Sequence, residues 1–274
     1  MILKKDKDMF KTSIVIPAYN GKEYLSDNLP LVVGLGADEI VIVDDASTDG
    51  SADYIAKNYP QVKLIRHSQN LRFPISVNDG FKSSSGDIIF LLNQDLKPQK
   101  DLIIKTLTHF KNENIFAVTF NENNRSWADG DWKNGMLEFK NGEIDNKIHE
   151  SLWASGGSAA FRKDLWDKLG GFDPVFSPGY FEDLDLGLRV RKAGYKIIWD
   201  PKCKVEHVTE TTFSKTFDKK TLTRIKDRNY LLTVWKNLPS GHLFMHLTSL
   251  TKRITQHPGY LVPVLMAILK RICY

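Results

Sequence analysis

A regular alternation of short apolar runs and amphipathic segments between residues 12 and 120 constrains this sequence more than any other feature. Apolar runs of this length are typical of strands buried on both faces. Their alternation with helix-length segments predicts βαβ units, and therefore an α/β fold with a mostly parallel sheet flanked by helices. The predicted strands are 12–17, 39–43, 62–66, 88–92 and 115–120, and the predicted helices are 22–33, 52–58, 74–84 and 100–111.

Polar residues, several of them acidic, directly follow these strands. Pro17 ends the first strand, Asp44 and Asp45 end the second, and Asn93 and Asp95 follow the central run at 88–92. Right-handed crossovers place the carboxyl ends of such strands at one edge of the sheet, where ligands bind in open α/β folds. We therefore expect one cleft in which a carboxylate holds a divalent cation against a phosphate. A single aspartate would be weak evidence, because Asp is also common in turns and helix caps.

The alternation lapses after residue 120. The segment 121–150 is rich in Asn, Asp, Gly and Trp, and we interpret it as an excursion over the sheet edge with a hairpin around residues 140–143. Regular structure is predicted again at 152–161, followed by a helix at 163–169 and two closing strands at 195–199 and 204–207.

A second group of acids lies at the start of a predicted helix that ends near residue 193. Glu182, Asp183 and Asp185 follow two aromatic residues. An apolar wall raises the pKa of a carboxyl group toward the range of a general base. A structural interpretation is equally open, because acids at a helix start complement the macrodipole. His207, at the end of the last predicted strand, could be a metal ligand, although a lone histidine is more often structural.

Composition narrows the class of protein. With 274 residues, 42% hydrophobic and 26% charged, the chain has a globular composition. Its two cysteines, Cys203 and Cys273, favour neither a disulfide framework nor a zinc site, and they suit a reducing compartment. Residues 1–11 lack the apolar segment of a signal peptide, and no run is long enough to span a bilayer. We therefore expect a cytoplasmic location.

The charge is distributed unevenly. Residues 215–274 carry eleven Lys and Arg against two Asp, so this part has a net charge of +9 and the first 214 residues one of −4. We predict a catalytic domain at 1–214 and a basic helical extension at 215–274, with helices near 219–237, 243–254 and 260–272. Its apolar and basic residues suit an anchor on an anionic membrane surface. Packing on the catalytic domain or a homodimer contact is the alternative, and no nucleic-acid-binding motif accompanies the charge.

Several motifs carry a family resemblance. Residues 12–20 and 42–50 resemble the opening signatures of family-two inverting glycosyltransferases. Residues 91–95 are similar to the family's strand-end metal motif, in the Asn-x-Asp form of rhamnosyltransferase-like members. Residues 156–158 and 181–186 resemble its acceptor-side elements. The resemblance spans about residues 12–207 in the expected order.

The resemblance implies a GT-A fold with two abutting Rossmann-like halves, a nucleotide-sugar half at about 12–120 and an acceptor half at about 121–214. It implies an inverting transfer of a sugar from a dTDP-, UDP- or GDP-sugar to a hydroxyl of a saccharide or lipid-linked saccharide. It further implies Mg²⁺ or Mn²⁺ as cofactor, a role in cell-surface polysaccharide synthesis, and peripheral attachment to the inner face of the membrane.

The resemblance also implies roles by position. The donor would be contacted by Pro17, Ala18, Tyr19, Asn20, Asp44, Asp45, Arg72 and Asn93. Asp95 and His207 would bind the metal, Asp183 would be the catalytic base, and Glu182 would help to place the acceptor. Two positions depart from the family pattern, since Asn93 replaces the usual first acid of the metal motif and Arg72 stands where glycine is frequent.

Two other functions remain in competition. A sugar nucleotidyltransferase would carry a glycine-rich, Arg-containing loop after the first strand, and residues 17–20 do not form one. A non-catalytic nucleotide-sugar-binding partner of a complex would be expected to lose site acids, whereas Asp45, Asp95 and Asp183 are present. The sequence has no GxGxxG, P-loop or HExxH motif, which argues against dinucleotide oxidoreductases, P-loop NTPases and zinc proteases.

Overall fold

The protein is described by a computed structural model for residues 9–123, 125–207 and 217–273. These residues form an α/β fold whose central sheet is flanked by helices, which confirms the predicted fold class. The strands are β1 Thr12–Ala18, β2 Glu39–Asp44, β3 Lys63–Arg66, β4 Ile88–Leu92, β5 Leu96–Pro98, β6 Ile115–Glu122, β7 Ala128–Lys133, β8 Met136–Asn141, β9 His149–Glu150, β10 Ser158–Arg162 and β11 Lys196–His207. The helices are α1 Lys22–Val33, α2 Ser51–Asn58, α3 Phe73–Ser83, α4 Leu102–Leu107, α5 Lys163–Leu169, α6 Glu182–Lys192, α7 Lys219–Asn237, α8 Leu243–Gln256 and α9 Leu261–Ile272.

The main sheet has the order β3-β2-β1-β4-β10-β6-β11-β5, and β9 pairs with β11. Strands β3, β2, β1 and β4 are mutually parallel, and β6 is parallel to β11. Strand β10 lies between β4 and β6 and is antiparallel to both. The carboxyl ends of β1, β2, β4, β6 and β11 consequently meet at one edge of the sheet, as the alternation predicted.

Helices cover both faces of this sheet. In β4, Ile88, Phe90 and Leu92 enter one hydrophobic core, while Ile89 and Leu91 enter the core on the opposite face. All five side chains are fully buried. Because side chains alternate between the faces of a strand, an uninterrupted apolar run is the pattern that a doubly covered sheet requires.

The segment 121–150 differs from its prediction. Its hairpin turns at Asn134 and Gly135, where β7 pairs with β8, and the predicted turn at 140–143 is wrong. Both turn residues have positive φ, 51° and 72°, as a two-residue hairpin loop requires. This segment contains two Asn-Gly pairs, and the flanking pattern is too polar to distinguish them. Gly142, in the second pair, instead donates its N–H to the Trp127 carbonyl at 2.8 Å.

The structure defines two further segments more closely. The regular segment expected at 152–161 contains the start of one strand, β10, Ser158–Arg162. The predicted strands at 195–199 and 204–207 are one strand, β11, whose pairing with β6 shifts in register between Asp200 and Lys204. Pro201 interrupts the alternation at that shift, which made one strand resemble two.

The extension forms the three predicted helices, α7, α8 and α9. They share a hydrophobic core with Val175 and Phe176 of the main fold, to which α7 contributes Leu231 and Leu232. The predicted boundary between residues 214 and 215 lies outside the described residues. Within the described parts of the chain, no helix is both long enough and apolar enough to cross a bilayer.

Candidate functional site

An open cavity lies at the carboxyl edge of the sheet. Predicted site residues from both halves of the chain line it together. They are Pro17, Ala18, Tyr19, Asp45, Arg72, Asn93, Asp95, Glu182, Asp183 and His207. Strand ends supply one side of the cavity, and the loop before α6 with the start of that helix supplies the other.

Asn20 and Asp44 are not among the residues that line this cavity. The Asn20 carboxamide accepts a hydrogen bond from the Thr48 N–H at 2.8 Å, and the buried Asp44 carboxylate accepts one from Ser47 N–H at 3.3 Å. Both side chains therefore fix the loop after β2. Their contact with a donor stays a prediction.

The Asp45 side chain holds a loop of the cavity wall in place. Its carboxylate accepts hydrogen bonds from the N–H groups of Leu71 at 2.7 Å and Arg72 at 2.8 Å, and it pairs with His67 Nδ1 at 2.9 Å. Arg72 is thereby held with φ 77° and ψ 165°, a region that is adopted almost exclusively by glycine. A cationic side chain is thus maintained on the cavity wall at a backbone position better suited to glycine.

His207 lies between two carboxylates at the centre of the cavity edge. Its Nε2 atom is 2.9 Å from Asp95 Oδ2, and its Nδ1 atom is 2.8 Å from Glu122 Oε1. Ser158 Oγ donates to the other Glu122 oxygen at 2.6 Å. The contacts to Asp95 and Glu122 raise the pKa of His207 to about 9. Burial raises the pKa of Glu122, but the bonds from His207 and Ser158 outweigh burial and leave that pKa below its usual value.

This arrangement fits a divalent cation. A histidine that binds a metal commonly donates its second ring nitrogen to a carboxylate, which fixes the orientation of the ring. Glu122 supplies that carboxylate to Nδ1, while the buried Nε2 atom beside Asp95 makes no hydrogen bond of good geometry with any described residue. One imidazole and one carboxylate would be the protein's ligands, and a cation would have to displace the imidazolium proton.

The loop after β4 packs tightly against its neighbours. The Asn93 N–H donates to the Gly157 carbonyl at 2.8 Å, and a Cβ atom on Gly157 would come within 2.1 Å of the Asn93 amide. The Gln94 side chain bonds both the N–H and the carbonyl of Tyr19, at 3.1 and 3.2 Å. Any side chain at 157 would therefore displace the Asn93 amide, and Gln94 joins the ends of β1 and β4.

Glu182 and Asp183 lie on the opposite side of the cavity. Asp183 accepts hydrogen bonds from the N–H of Leu184 at 2.8 Å and, at 3.4 Å, from that of Gly156. Burial raises the pKa of Asp183 to about 6, against the lowering effect of these bonds. Burial, and next the charge of Asp183, raise the pKa of Glu182 well above its usual value. The pair thus contains a carboxylate able to accept a proton near neutral pH.

Asp185, the third acid of the group, has a structural role. It is fully buried and pairs with Arg189 at 3.0 Å and Lys236 at 3.1 Å. Asn237 donates to its second oxygen at 2.9 Å. The three acids that the sequence groups together are therefore divided by the fold into two cavity residues and one anchor for α7.

Sequence reasoning missed several residues of the cavity wall. Glu122 gave a usable signal, because it ends a strand at the same sheet edge, but the predicted strand stopped at residue 120. Gln94 lay inside the recognised motif without an assigned role. Arg125 also lines the cavity, and nothing in the local pattern distinguished it. Tyr180 and Phe181, the two aromatic residues expected beside the acids, line the cavity as well.

A second group of metal-binding residue types lies elsewhere. His109, Asp200 and Cys203 have donor atoms within 4.8 Å of one another, yet none of them lines the cavity. His109 Nε2 lies 2.7 Å from Asp200 Oδ2. Burial raises the pKa of the Cys203 thiol to about 12, so the thiol is protonated at neutral pH unless a metal binds it. The three side chains form a cluster that is separate from the cavity.

The sheet order and the cavity at the carboxyl edge define a GT-A-like α/β fold. Comparison with known proteins then gives the family. The model of glycosyl transferase family 2 matches residues 13–170, more than half of the chain, and the chain belongs to this family. The resemblance inferred from the motifs is thereby confirmed.

Curated relatives cover the chain beyond that match. A dolichol-phosphate mannosyltransferase of Pyrococcus furiosus is 27% identical in an alignment of 220 residues that covers 74% of this chain and 56% of that protein. An N-acetylglucosaminyl-diphospho-decaprenol L-rhamnosyltransferase of Mycobacterium tuberculosis is 20% identical in an alignment of 205 residues that covers 61% of this chain and 66% of that protein. The first curated relatives are matched over only 50–61% of their own length.

Solved structures support the fold. The mannosyltransferase PcManGT from Pyrobaculum calidifontis, in complex with GDP-Man and Mn²⁺, superposes with a TM-score of 0.61 at 16% identity, over 96% of this chain and 81% of that one. GalNAc-T7 with UDP, GalNAc and Mn²⁺ gives a TM-score of 0.66 at 17% identity, over 83% of this chain and 48% of that one.

Proposed function

We propose that the protein is an inverting glycosyltransferase that moves a sugar from a nucleoside-diphosphate donor to a hydroxyl of a saccharide or lipid-linked saccharide. The observation that carries the proposal is the meeting of Asp95 and His207 with Asp183 in one cavity. These residues come from the loop after β4, the end of β11 and the start of α6. Family membership, the GDP-Man bound by one structural neighbour, and the UDP and GalNAc bound by the other support the same conclusion.

A divalent cation is part of the proposal, and both structural neighbours are complexes with Mn²⁺. Asp95 and His207 would hold the cation, with Glu122 orienting the imidazole. When bound, the cation neutralises negative charge on the donor diphosphate. Arg72 lines the same cavity and could add a second positive charge toward the phosphates. Asn93, at the position of the family's usual first acid, is neutral and would attract a cation less than a carboxylate would.

Asp183 has the properties of the base. Its carboxylate takes the proton of the acceptor hydroxyl while the acceptor oxygen bonds to the anomeric carbon. The bond from that carbon to the diphosphate oxygen breaks, and its electron pair leaves with the nucleotide. One displacement inverts the anomeric centre without a protein nucleophile. Burial brings the pKa of Asp183 closer to that of the proton it receives, which favours general-base catalysis.

A donor screen tests the proposal. The full chain is incubated with dTDP-, UDP- and GDP-sugars and octyl glycosides, with Mn²⁺, with Mg²⁺, or with EDTA, and nucleoside diphosphate release is measured. We expect release with one nucleotide class, dependent on the divalent cation, and a product of inverted anomeric configuration by NMR. A product with retained configuration, or a nucleoside triphosphate formed from pyrophosphate and the sugar nucleotide, would replace this proposal with another transferase reaction.

We further propose that the extension attaches the enzyme peripherally to the inner face of the membrane. Ten of the fifteen exposed large apolar side chains among the described residues lie between residues 243 and 272. On α9 the exposed residues Leu261, Leu265, Ile268 and Ile272 form one stripe, while Val264 on the other face is buried. Such a stripe with nearby cations suits an anionic lipid surface, and Lys270 and Arg271 lie in the last turn of α9.

Vesicle co-sedimentation tests this attachment. The double variant Leu265→Gln and Leu269→Gln changes only exposed side chains, so the fold should be retained while binding to phosphatidylglycerol vesicles is lost. The matched control is Ile144→Gln with Ile148→Gln, since both isoleucines are exposed outside the extension. Unchanged sedimentation of the α9 variant, with a change in oligomeric state by light scattering, would indicate the homodimer contact instead.

A further inference from the structure

The loop that precedes Glu182 has an unusual backbone. It runs from Phe176 to Phe181 and supplies Tyr180 and Phe181 to the cavity wall. These two residues have φ values of 73° and 74°, in the left-handed region that non-glycine residues rarely adopt. Two such residues in succession persist only where the surroundings determine the conformation. The next two residues along the chain are the cavity carboxylates.

Asn229 of α7 fixes the conformation of this loop through hydrogen bonds. The Asn229 side chain is fully buried, and its Nδ2 atom lies within hydrogen-bond distance of three loop carbonyls. The acceptors are the carbonyls of Phe176 at 2.8 Å, Gly179 at 2.9 Å and Tyr180 at 2.9 Å. One amide group thus gathers carbonyls from both ends of the loop.

Arg228 extends the same contact. Its Nε atom donates to Asn229 Oδ1 at 2.9 Å, which fixes the orientation of the Asn229 amide. Its Nη2 atom donates to the Ser177 carbonyl at 2.6 Å. Two neighbouring residues of α7 therefore bind four of the six carbonyls between Phe176 and Phe181. Few backbone alternatives could keep all these bonds.

Helix α7 is in turn fixed at both sides of the loop. Lys236 pairs with Asp173, which precedes the loop, at 2.5 Å, and with Asp185, which follows it, at 3.1 Å. Beneath these contacts Phe176 packs in one core with Leu231 and Leu232 of α7. The basic extension is therefore built into the wall of the cavity on the side of the carboxylates.

We propose that Asn229 is a positioning residue of the acceptor site. By holding the loop carbonyls it imposes the left-handed conformation of Tyr180 and Phe181, and thereby sets the acceptor-side wall and the direction of Asp183. The inference rests on the proposed glycosyl transfer for its kinetic consequence. Because the bonds of Asn229 reach the loop and Arg228 rather than the strand ends, its loss should impair the acceptor and spare the donor.

The kinetic test compares Asn229→Asp and Asn229→Ser with Thr233→Val. The aspartate keeps the side chain's shape but turns an oxygen toward the three carbonyls, whereas serine leaves one short donor. Thr233 is equally buried on α7, yet its hydroxyl bonds only the Asn229 carbonyl of its own helix, at 3.0 Å. The probes are UDP with Mn²⁺ and GDP with Mn²⁺ for the donor site, and octyl glycosides for the acceptor.

We expect kcat/KM for the acceptor to fall on the order of 10²-fold in Asn229→Asp, as misplacement of a reacting group commonly causes. Nucleoside diphosphate affinity and donor KM should stay at wild-type values, and Thr233→Val should resemble wild type in both. A purely structural role would lower donor and acceptor parameters together, in proportion to the loss of folded protein. That outcome, or unchanged acceptor kinetics, would overturn the inference.

Hydrogen exchange separates failure of the inference from failure of the proposed function. The N–H of Gly179 bonds the Phe176 carbonyl at 3.0 Å, so exchange over residues 173–185 reports the loop without any sugar. We expect faster exchange there in both Asn229 variants and not in Thr233→Val. If the wild type transfers no sugar, the proposed function fails and the exchange result still decides the role of Asn229. Unchanged exchange in both variants would refute it.

Discussion

The acids on the two sides of the cavity differ in their electrostatic surroundings. On the strand-end side, Asp95 and Glu122 flank His207 in a chain of contacts below 3 Å. On the α6 side, Glu182 and Asp183 make no salt bridge with any described residue, and burial raises the pKa of both. Carboxylates with a cationic partner suit the binding of cations and phosphates, and desolvated ones suit proton transfer. The surroundings therefore suit carboxylates on the two sides to different chemical roles.

The backbone differs between the two sides as well. The strand-end side follows from regular parallel strands, whose carboxyl ends coincide whatever the loops do. The α6 side depends on a loop with successive left-handed residues that a distant helix holds in place. The first side is thus a property of the sheet, while the second depends on packing between parts of the chain about fifty residues apart.

The largest effect should come from removing the base. Asp183→Asn keeps the shape of the side chain but cannot accept the proton, so we expect turnover to fall about 10²–10⁴-fold. Nucleoside diphosphate binding, measured by calorimetry with Mn²⁺, should stay at its wild-type value, because the proposed donor contacts are on the strand-end side of the cavity.

Asp185→Asn is the informative control for that variant, because it changes an acid of the same helical turn. Asp185 pairs with Arg189 and Lys236 rather than facing the cavity. We expect it to lower the free energy of unfolding by about 1–3 kcal/mol, with most of the turnover per folded molecule retained. Turnover in Asp183→Asn equal to wild type would remove Asp183 as the base.

A substitution on the strand-end side should lower the affinity of the protein for Mn²⁺. Glu122→Gln weakens the partner of His207 Nδ1 without touching Asp95, and loss of such a partner costs about 10–100-fold in metal affinity. Titration of Mn²⁺ by electron paramagnetic resonance in the presence of nucleoside diphosphate measures the change. Glu206→Gln, one residue before His207 and exposed, is the matched control. Equal Mn²⁺ affinity in wild type and Glu122→Gln would separate Glu122 from the metal site.

The pH profile of turnover should reflect the protonation of Asp183 on the α6 side. Burial raises the pKa of Asp183 to about 6, and the base acts only when deprotonated. Turnover at saturating donor and Mn²⁺ should therefore be constant above that pH and fall about tenfold per unit below it. A flat profile down to pH 5 would show that buried Asp183 is not the group that accepts the proton.

The smallest effect concerns Arg72. Arg72→Gly removes a side chain from a backbone conformation that suits glycine, so we expect the free energy of unfolding to rise by about 1 kcal/mol. Nucleoside diphosphate affinity should fall about tenfold if the guanidinium contacts phosphate. Arg72→Ala loses the same charge and keeps the strain, so it should lose affinity without gaining stability. Equal melting temperatures for the two variants would contradict this account of the strain.

Much of the strand-end side was predictable because it needs only local information. The apolar run at Ile88–Leu92 and the acid that follows it specify a buried strand with a carboxylate near its end. Right-handed crossovers then bring this strand end to the same sheet edge as the ends of the other parallel strands. The hairpin at Asn134 and Gly135 shows the opposite case. Two Asn-Gly pairs have the same turn preference, and only the pairing of β7 with β8 selects the first.

The sequence by itself determined the sheet, its functional edge and the family, because hydrophobic period and strand-end chemistry are encoded within a few residues. Tertiary structure alone decided which of the acids at 182, 183 and 185 face the cavity, and it alone joined Glu122 to His207 and Asn229 to the loop before α6. Those outcomes depend on contacts between residues roughly fifty to eighty-five positions apart, whose distances no local pattern specifies.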